Sequence, residues 1–150
     1  MITNNDRVRE ILLSRGIKPT FQRQRILQAV LDDRTHPTVK ALHDRLQPSV
    51  PTLSKTTLYT TLELFAAHGL VARLSIDAGE VRYDGLVSPH HHLLCASCGA
   101  IIDLEVACAT GRKGEIDGHA IHEVHGYFKG RCKACLSRAR THKPRRLSHA

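Results

Sequence analysis

Apolar residues recur at helical spacing through roughly the first seventy positions, then give way to short runs with strand-like alternation. Val8, Ile11 and Leu12 share one face of a helix predicted over residues 6–15, which Gly16 closes. Thr20 is placed to cap a second helix with the stripe Ile26, Leu27, Val30 and Leu31. A third, over residues 38–47, carries Val39, Leu42 and Leu46 and stops before Pro48 and Pro51. Ser54 caps a fourth that runs to Gly69 and turns Leu58, Leu62 and Phe65 inward. Residues 70–76 and 80–83 then read as strands joined at Asp77-Ala78-Gly79. Helices followed by a hairpin is the order of a winged helix-turn-helix domain, which places its last helix in the major groove. On the outer side of that helix Lys55 and Tyr59 stack one turn apart, as do Thr56 and Thr60, a set suited to phosphate and groove contacts.

Near Asp84 the pattern breaks into runs at 92–95, 100–104 and 119–129, with a helix expected after Cys132. These predict a small α/β domain whose sheet is too short to stand unaided. The expected fold class is therefore α+β, with a winged-helix domain over residues 1–83, a metal-binding domain over 84–136 and a basic tail over 137–150.

At 150 residues and 41% hydrophobic, the chain has enough apolar material for one good core or two small ones. No apolar run reaches the roughly 18 residues of a membrane span, and the N-terminus lacks the order of a secretory signal, so no membrane partner and a cytoplasmic location are expected. The net charge of +8 favours a polyanionic partner. It is concentrated at the ends. Residues 1–83 carry 12 Lys/Arg against 8 Asp/Glu, and residues 137–150 carry five basic residues and no acid.

The chemistry-bearing residues lie in the neutral middle. Cys95-Ala-Ser-Cys98 and Cys132-Lys-Ala-Cys135 are two knuckles whose spacing turns paired sulfurs toward one ion. Reducing conditions favour metal over disulfide, and four thiolates predict a structural Zn²⁺. The 33 residues between the knuckles require tertiary structure to close the site. Cys108 is read as a small buried hydrophobe. His90 and His92 point to one side of a strand while His91 faces away, and Asp84 and Asp103 are the nearest carboxylates. Nitrogen and oxygen donors without thiolate suit Fe²⁺ or Mn²⁺, and Zn²⁺ remains compatible. On pattern alone His36 reads as a surface histidine.

Taken in order, Lys18-Pro-Thr20-Phe-Gln22-Arg23, His36-Pro-Thr38, Ser54-Lys-Thr-Thr57-Leu-Tyr59-Thr-Thr-Leu62, Gly69-Leu-Val71, Arg82-Tyr83-Asp84, His90-His-His92-Leu-Leu-Cys95-Ala-Ser-Cys98-Gly, Asp103 and Gly130-Arg-Cys132-Lys-Ala-Cys135 resemble the ferric uptake regulator family of metal-dependent repressors. The resemblance covers nearly the whole chain. It implies a homodimer that binds double-stranded, palindromic operator DNA, with a C-terminal dimerisation domain built on the Cys₄ zinc. It implies a regulatory Fe²⁺ or Mn²⁺ held by His36, Asp84, His90, His92 and Asp103. It adds Lys18, Gln22, Arg23 and Thr57 to the DNA-facing set of Lys55, Thr56, Tyr59 and Thr60.

Aspartate at both 84 and 103 is similar to the peroxide-sensing branch of that family, in which Fe²⁺ and hydrogen peroxide oxidise a ligating histidine, by position His36 or His90. Such a sensor consumes its own side chain and is no enzyme. An iron- or manganese-responsive repressor of metal uptake is the nearest alternative, and a zinc-uptake regulator a more distant one. A metallohydrolase centre would leave Tyr59 and the helices unexplained, and a zinc-ribbon interaction module would explain nothing before residue 84. Two departures from the family pattern stand out. Thr60 occupies the place of a common arginine, and the segment from Cys108 to Glu115 lacks the carboxylate that members with a third metal site carry near Thr110, although His119, His122 and His125 lie nearby.

Overall fold

A computed structural model describes residues 4–76, 79–88, 90–106, 114–116, 119–121 and 126–141. The chain forms two compact units, Met1–Ser88 and Pro89–Ala150. Cys108, His122, His125, Asp77 and Ala78 lie outside the described residues.

The first unit contains α1 (Asn4–Ser14), α2 (Phe21–Leu31), α3 (Val39–Leu46), α4 (Lys55–Ala67), β1 (Ala72–Leu74) and β2 (Arg82–Asp84). Thr20 and Ser54 cap where the sequence puts them, and Thr38, expected as the first residue of the third helix, caps α3 instead. Thr20, Thr38 and Ser54 are extended residues whose side chains accept the N–H three positions on, from Arg23, Ala41 and Thr57. α1 and α4 end in the same device, a glycine with positive φ (Gly16, +69°; Gly69, +65°). At α1 the Ile17 and Gly16 N–H groups reach back to Leu12 and Leu13; at α4 those of Leu70 and Gly69 reach Phe65 and Ala66. Both are Schellman closures, for which a left-handed residue without Cβ is the natural choice.

The two ends are also tied to each other. Arg15 Nη1 donates to the His68 carbonyl at 3.0 Å, and His68 Nδ1–H donates back to the Arg15 carbonyl at 3.0 Å. Between the helices lies one apolar cluster that includes Leu12, Ile26, Leu27, Leu42, Leu58, Leu62 and Phe65, all fully buried. It holds the predicted inward stripes of all four helices.

β1 and β2 pair antiparallel, with Ala72 opposite Asp84, Arg73 opposite Tyr83 and Leu74 opposite Arg82. The hairpin is shorter than expected on its first arm because Leu70 and Val71 are buried in the cluster beside the α4 closure. The second arm is shifted rather than lengthened: β2 starts at Arg82 and ends one residue later than expected, so that Asp84 pairs with Ala72 as its last residue. Next to it, Gly85 runs against the end of α2. A Cβ there would lie 3.0 Å from the Val30 carbonyl oxygen and 3.1 Å from Leu31 Cα, both backbone atoms. Gly85→Ala is expected to cost about 1–3 kcal/mol of stability through overpacking. An unchanged urea midpoint for this variant would show that the strand end has slack.

The described residues of the second unit form a three-stranded sheet, a separate hairpin and a helix. β3 (His91–Cys95) pairs antiparallel with β4 (Ile101–Leu104) and parallel with β7 (Phe128–Gly130). β5 (Gly114–Ile116) pairs with β6 (His119–Ile121), and α5 covers Lys133–Thr141, so helix extends into the basic tail. Among the described residues of this unit, the buried apolar side chains are Ile101 and two thiols, Cys95 and Cys132. An interior that thin supplies little hydrophobic stabilisation, and the sheet needs another source. No described helix is long and apolar enough to cross a membrane.

Candidate metal centres and nucleic-acid face

Cys95 ends β3, Cys98 follows in a turn closed by Gly99 (φ +70°), and Cys132 and Cys135 open α5. The four Sγ atoms lie within 4.8 Å of one another. Cys98 and Cys132 are 3.9 Å apart, which is contact without a disulfide. The Cys132 N–H donates to Cys95 Sγ at 3.3 Å, and this holds the Cys95 thiol down to about 6. The neighbouring sulfurs of Cys132 and Cys98 push Cys135 up to about 12. Four thiols this close cannot all ionise without a cation among them, and a tetrahedral, soft divalent ion answers that demand. The donor set fits zinc. Arg138, one turn along α5, places Nη2 3.6 Å from Cys135 Sγ. This outer contact was missed in the sequence, although its i, i+3 spacing from Cys135 could have shown it.

In the first unit His36 and Asp84 are both buried, at 1% and 3% exposure, with Nε2 and Oδ2 3.6 Å apart. The pattern-based expectation of a surface His36 does not hold. β2 pins the backbone here. Arg82 Nη1 donates to the His36 carbonyl at 3.3 Å, the Tyr83 N–H donates to the Pro37 carbonyl at 3.1 Å, and Thr38 bridges to Arg82. His36 is also the one described non-glycine residue with positive φ, at 55°. Such backbone costs on the order of 1 kcal/mol and concentrates at functional positions. Asp84 is oriented by the Leu86 N–H, which donates to Oδ1 at 2.7 Å.

In the second unit the β3–β4 register sets His92 opposite Asp103. Asp103 Oδ1 lies 3.5 Å from His92 Nε2 and 3.3 Å from His90 Nε2, and the two imidazoles meet edge to face at 4.4 Å. His91 faces the other way, against the Phe128 ring at 5.8 Å. Each unit thus brings together histidine nitrogen and aspartate oxygen with no sulfur, a donor set that suits Fe²⁺, Mn²⁺ or Zn²⁺. His119 is exposed.

The residues expected to face DNA are held by the first unit. Lys55, Thr56, Tyr59 and Thr60 are exposed on α4, Tyr59 at 46%, and Thr57 is half-buried, its hydroxyl 2.9 Å from that of the Ser54 cap. Thr60 Oγ1 donates to the Thr56 and Thr57 carbonyls, which commits its proton to the helix. Lys18 is exposed; Arg23 Nη1 donates to the Lys18 carbonyl at 3.1 Å, and Gln22 Nε2 donates to Thr52 Oγ1 at 3.4 Å. His43 Nε2–H donates to the Leu53 carbonyl at 2.9 Å and so fixes the turn from which α4 starts.

Known proteins share this sequence and architecture. The chain is 36% identical over 90 residues to the peroxide-responsive repressor PerR of Staphylococcus aureus (strain Mu50), a match that covers 60% of this chain and 61% of that protein. The chain therefore spans about 61% of the length of the curated relative it matches. The solved ferric uptake regulator from Pseudomonas aeruginosa with manganese superposes with a TM-score of 0.66 at 26% identity, covering 83% of this chain and 96% of that one. A zinc-bound manganese uptake regulator gives 0.65 at 26% identity, covering 83% and 98%. The family model of the ferric uptake regulator family matches residues 14–126, which take in α2–α4, the wing, the β3–β4 pair and the first cysteine knuckle. With three-quarters of its length inside that match, from α2 through the wing to the first cysteine knuckle, the chain belongs to the ferric uptake regulator family.

Proposed function

We propose that this chain is a metal-dependent DNA-binding repressor that senses hydrogen peroxide. The reading assigns it a homodimer on palindromic operator DNA, with Lys18, Gln22, Arg23, Lys55, Thr56, Thr57, Tyr59 and Thr60 toward the duplex. Cys95, Cys98, Cys132 and Cys135 hold a structural Zn²⁺. His36, Asp84, His90, His92 and Asp103 share one regulatory Fe²⁺ or Mn²⁺. Drawing ligands from both units makes metal affinity depend on their arrangement, and by linkage the arrangement depends on metal.

The regulatory ion supplies redox reactivity toward peroxide when it is iron and none when it is manganese. The chain's residues do the rest. His36 and His90 present oxidisable imidazoles, and Asp84 and Asp103 leave the donor set free of competing thiols. The imidazole gains one oxygen atom, peroxide leaves as water, and a ligand is lost. The side chain is consumed, so nothing turns over.

The observation that carries this reading is the pair of aspartates, each beside a histidine (His36 with Asp84, His92 with Asp103), in a chain 36% identical over 90 residues to a peroxide-responsive repressor. Likeness to the manganese-bound ferric uptake regulator supports the second reading, an iron- or manganese-responsive repressor of uptake genes. Peptide mass spectrometry separates them. Peroxide with Fe²⁺, but not with Mn²⁺, is expected to add about 16 Da to the peptide containing His36 or His90 and to release DNA. Repression that survives peroxide with no adduct selects the uptake regulator.

A further inference from the structure

One carboxylate oxygen in the first unit holds three elements at once. Glu63, on α4, accepts a hydrogen bond from the Tyr83 hydroxyl at 2.9 Å through Oε1. The same Oε1 lies 3.3 Å from Arg73 Nε. Tyr83 is on β2 and Arg73 is directly opposite it on β1, so both wing strands meet α4 at this point. The Tyr83 ring is fully buried, while Glu63 and Arg73 are partly open to water.

Tyr83 also stands between the two proposed ligands of this unit. Asp84 is the next residue of β2, and the Tyr83 N–H donates to the Pro37 carbonyl, one residue past His36. A displacement of β2 or of the His36 turn therefore moves a ring with no free space around it. The ring carries the motion to a hydroxyl fixed on α4, one helical turn after Tyr59.

We propose that Tyr83 and Glu63 are positioning residues that transmit metal ligation at His36 and Asp84 to the DNA-facing helix α4. The inference rests on the metal-dependent repressor reading, and it adds the path within one protomer by which ligation reaches the duplex. Neither side chain needs to touch the ion or DNA. Their role is to make the position of α4 depend on the position of β2.

The full-length protein tests this with Tyr83→Phe, which removes the hydroxyl and keeps the ring, and Glu63→Gln, which keeps the shape and removes the charge. Operator affinity is measured by fluorescence anisotropy with and without Mn²⁺, alongside Mn²⁺ affinity of the free protein and the thermal midpoint. The ratio of operator affinities with and without Mn²⁺ is expected to fall roughly 3- to 10-fold in each variant, and no further in the double variant. Mn²⁺ affinity of the free protein, metal-free operator affinity and thermal midpoint stay near wild type. By reciprocity, Mn²⁺ affinity of the DNA-bound protein falls by the same factor as the ratio, a change that a merely structural role does not produce. An unchanged ratio in both variants overturns the proposal. So does an equal loss of metal-free and metal-loaded binding, or weakened Mn²⁺ binding by the free variant. A wild-type protein with no Mn²⁺-dependent operator binding instead removes the repressor reading itself, and the coupling role goes with it.

Discussion

Cys95→Ser is expected to unfold the second unit while leaving the first one folded. Cys95 is the buried end of the central strand, and its sulfur receives the Cys132 N–H that joins β3 to the start of α5. Apart from thiols, Ile101 is the buried apolar side chain among the described residues of that unit. A zinc site of this type contributes on the order of 10 kcal/mol of apparent binding free energy, more than such a sheet can replace from packing. Serine would leave three thiolates and a hydroxyl that ionises far less readily. The expected result is loss of the bound zinc and of β signal in circular dichroism, with α1–α4 still melting cooperatively. A strong chelator applied to the wild type should give the same profile. A Cys95→Ser protein that keeps its zinc and its melting curve would show that the knuckles do not hold the sheet.

His36→Asn is expected to abolish the metal response without unfolding anything. Asparagine tolerates the left-handed backbone of position 36 (φ 55°), so the variant tests the imidazole separately from the turn. Removing one of five proposed ligands should weaken Mn²⁺ binding by about 100-fold, the scale on which lesser changes around metal sites already act. The metal-dependent gain in operator affinity, roughly 5- to 150-fold for couplings of this kind, should vanish. Metal-free operator affinity should be unchanged, because His36 is buried away from the exposed face of α4. A His36→Asn protein with full metal response would remove His36 from the regulatory set.

Local chemistry was the part most legible in the sequence. Thr20 and Ser54 could be placed as caps because each satisfies an N–H only three residues away. Gly16 and Gly69 could be placed as helix ends for the same reason. Alternation alone separated His91 from His90 and His92. The partner of His92 was less accessible, because the register that sets Asp103 opposite it belongs to two strands at once. His36 is the clearest failure of pattern reading. Nothing near it in sequence predicts burial or its tie to β2 some 46 positions later, and only the family resemblance singled it out. Tyr83 with Glu63 and Gly85 with α2 were invisible for the same reason, since each depends on a contact that closes only in three dimensions. The wing strands were found, but their limits were shifted by the pull of Leu70 and Val71 into the core.

The reciprocal bonds between Arg15 and His68 bear on mechanics as well as stability. They clasp α4 at its C-terminal end, beside Gly69, while the His43–Leu53 bond and the Ser54 cap hold the end at Lys55. Thirteen residues give the helix a length of about 20 Å. A tilt of about 10° at the clasp would carry Lys55 through roughly 3.4 Å, the spacing of successive base pairs. Leu58, Leu62 and Phe65 are fully buried on the same helix, so such a tilt needs the core to move with it.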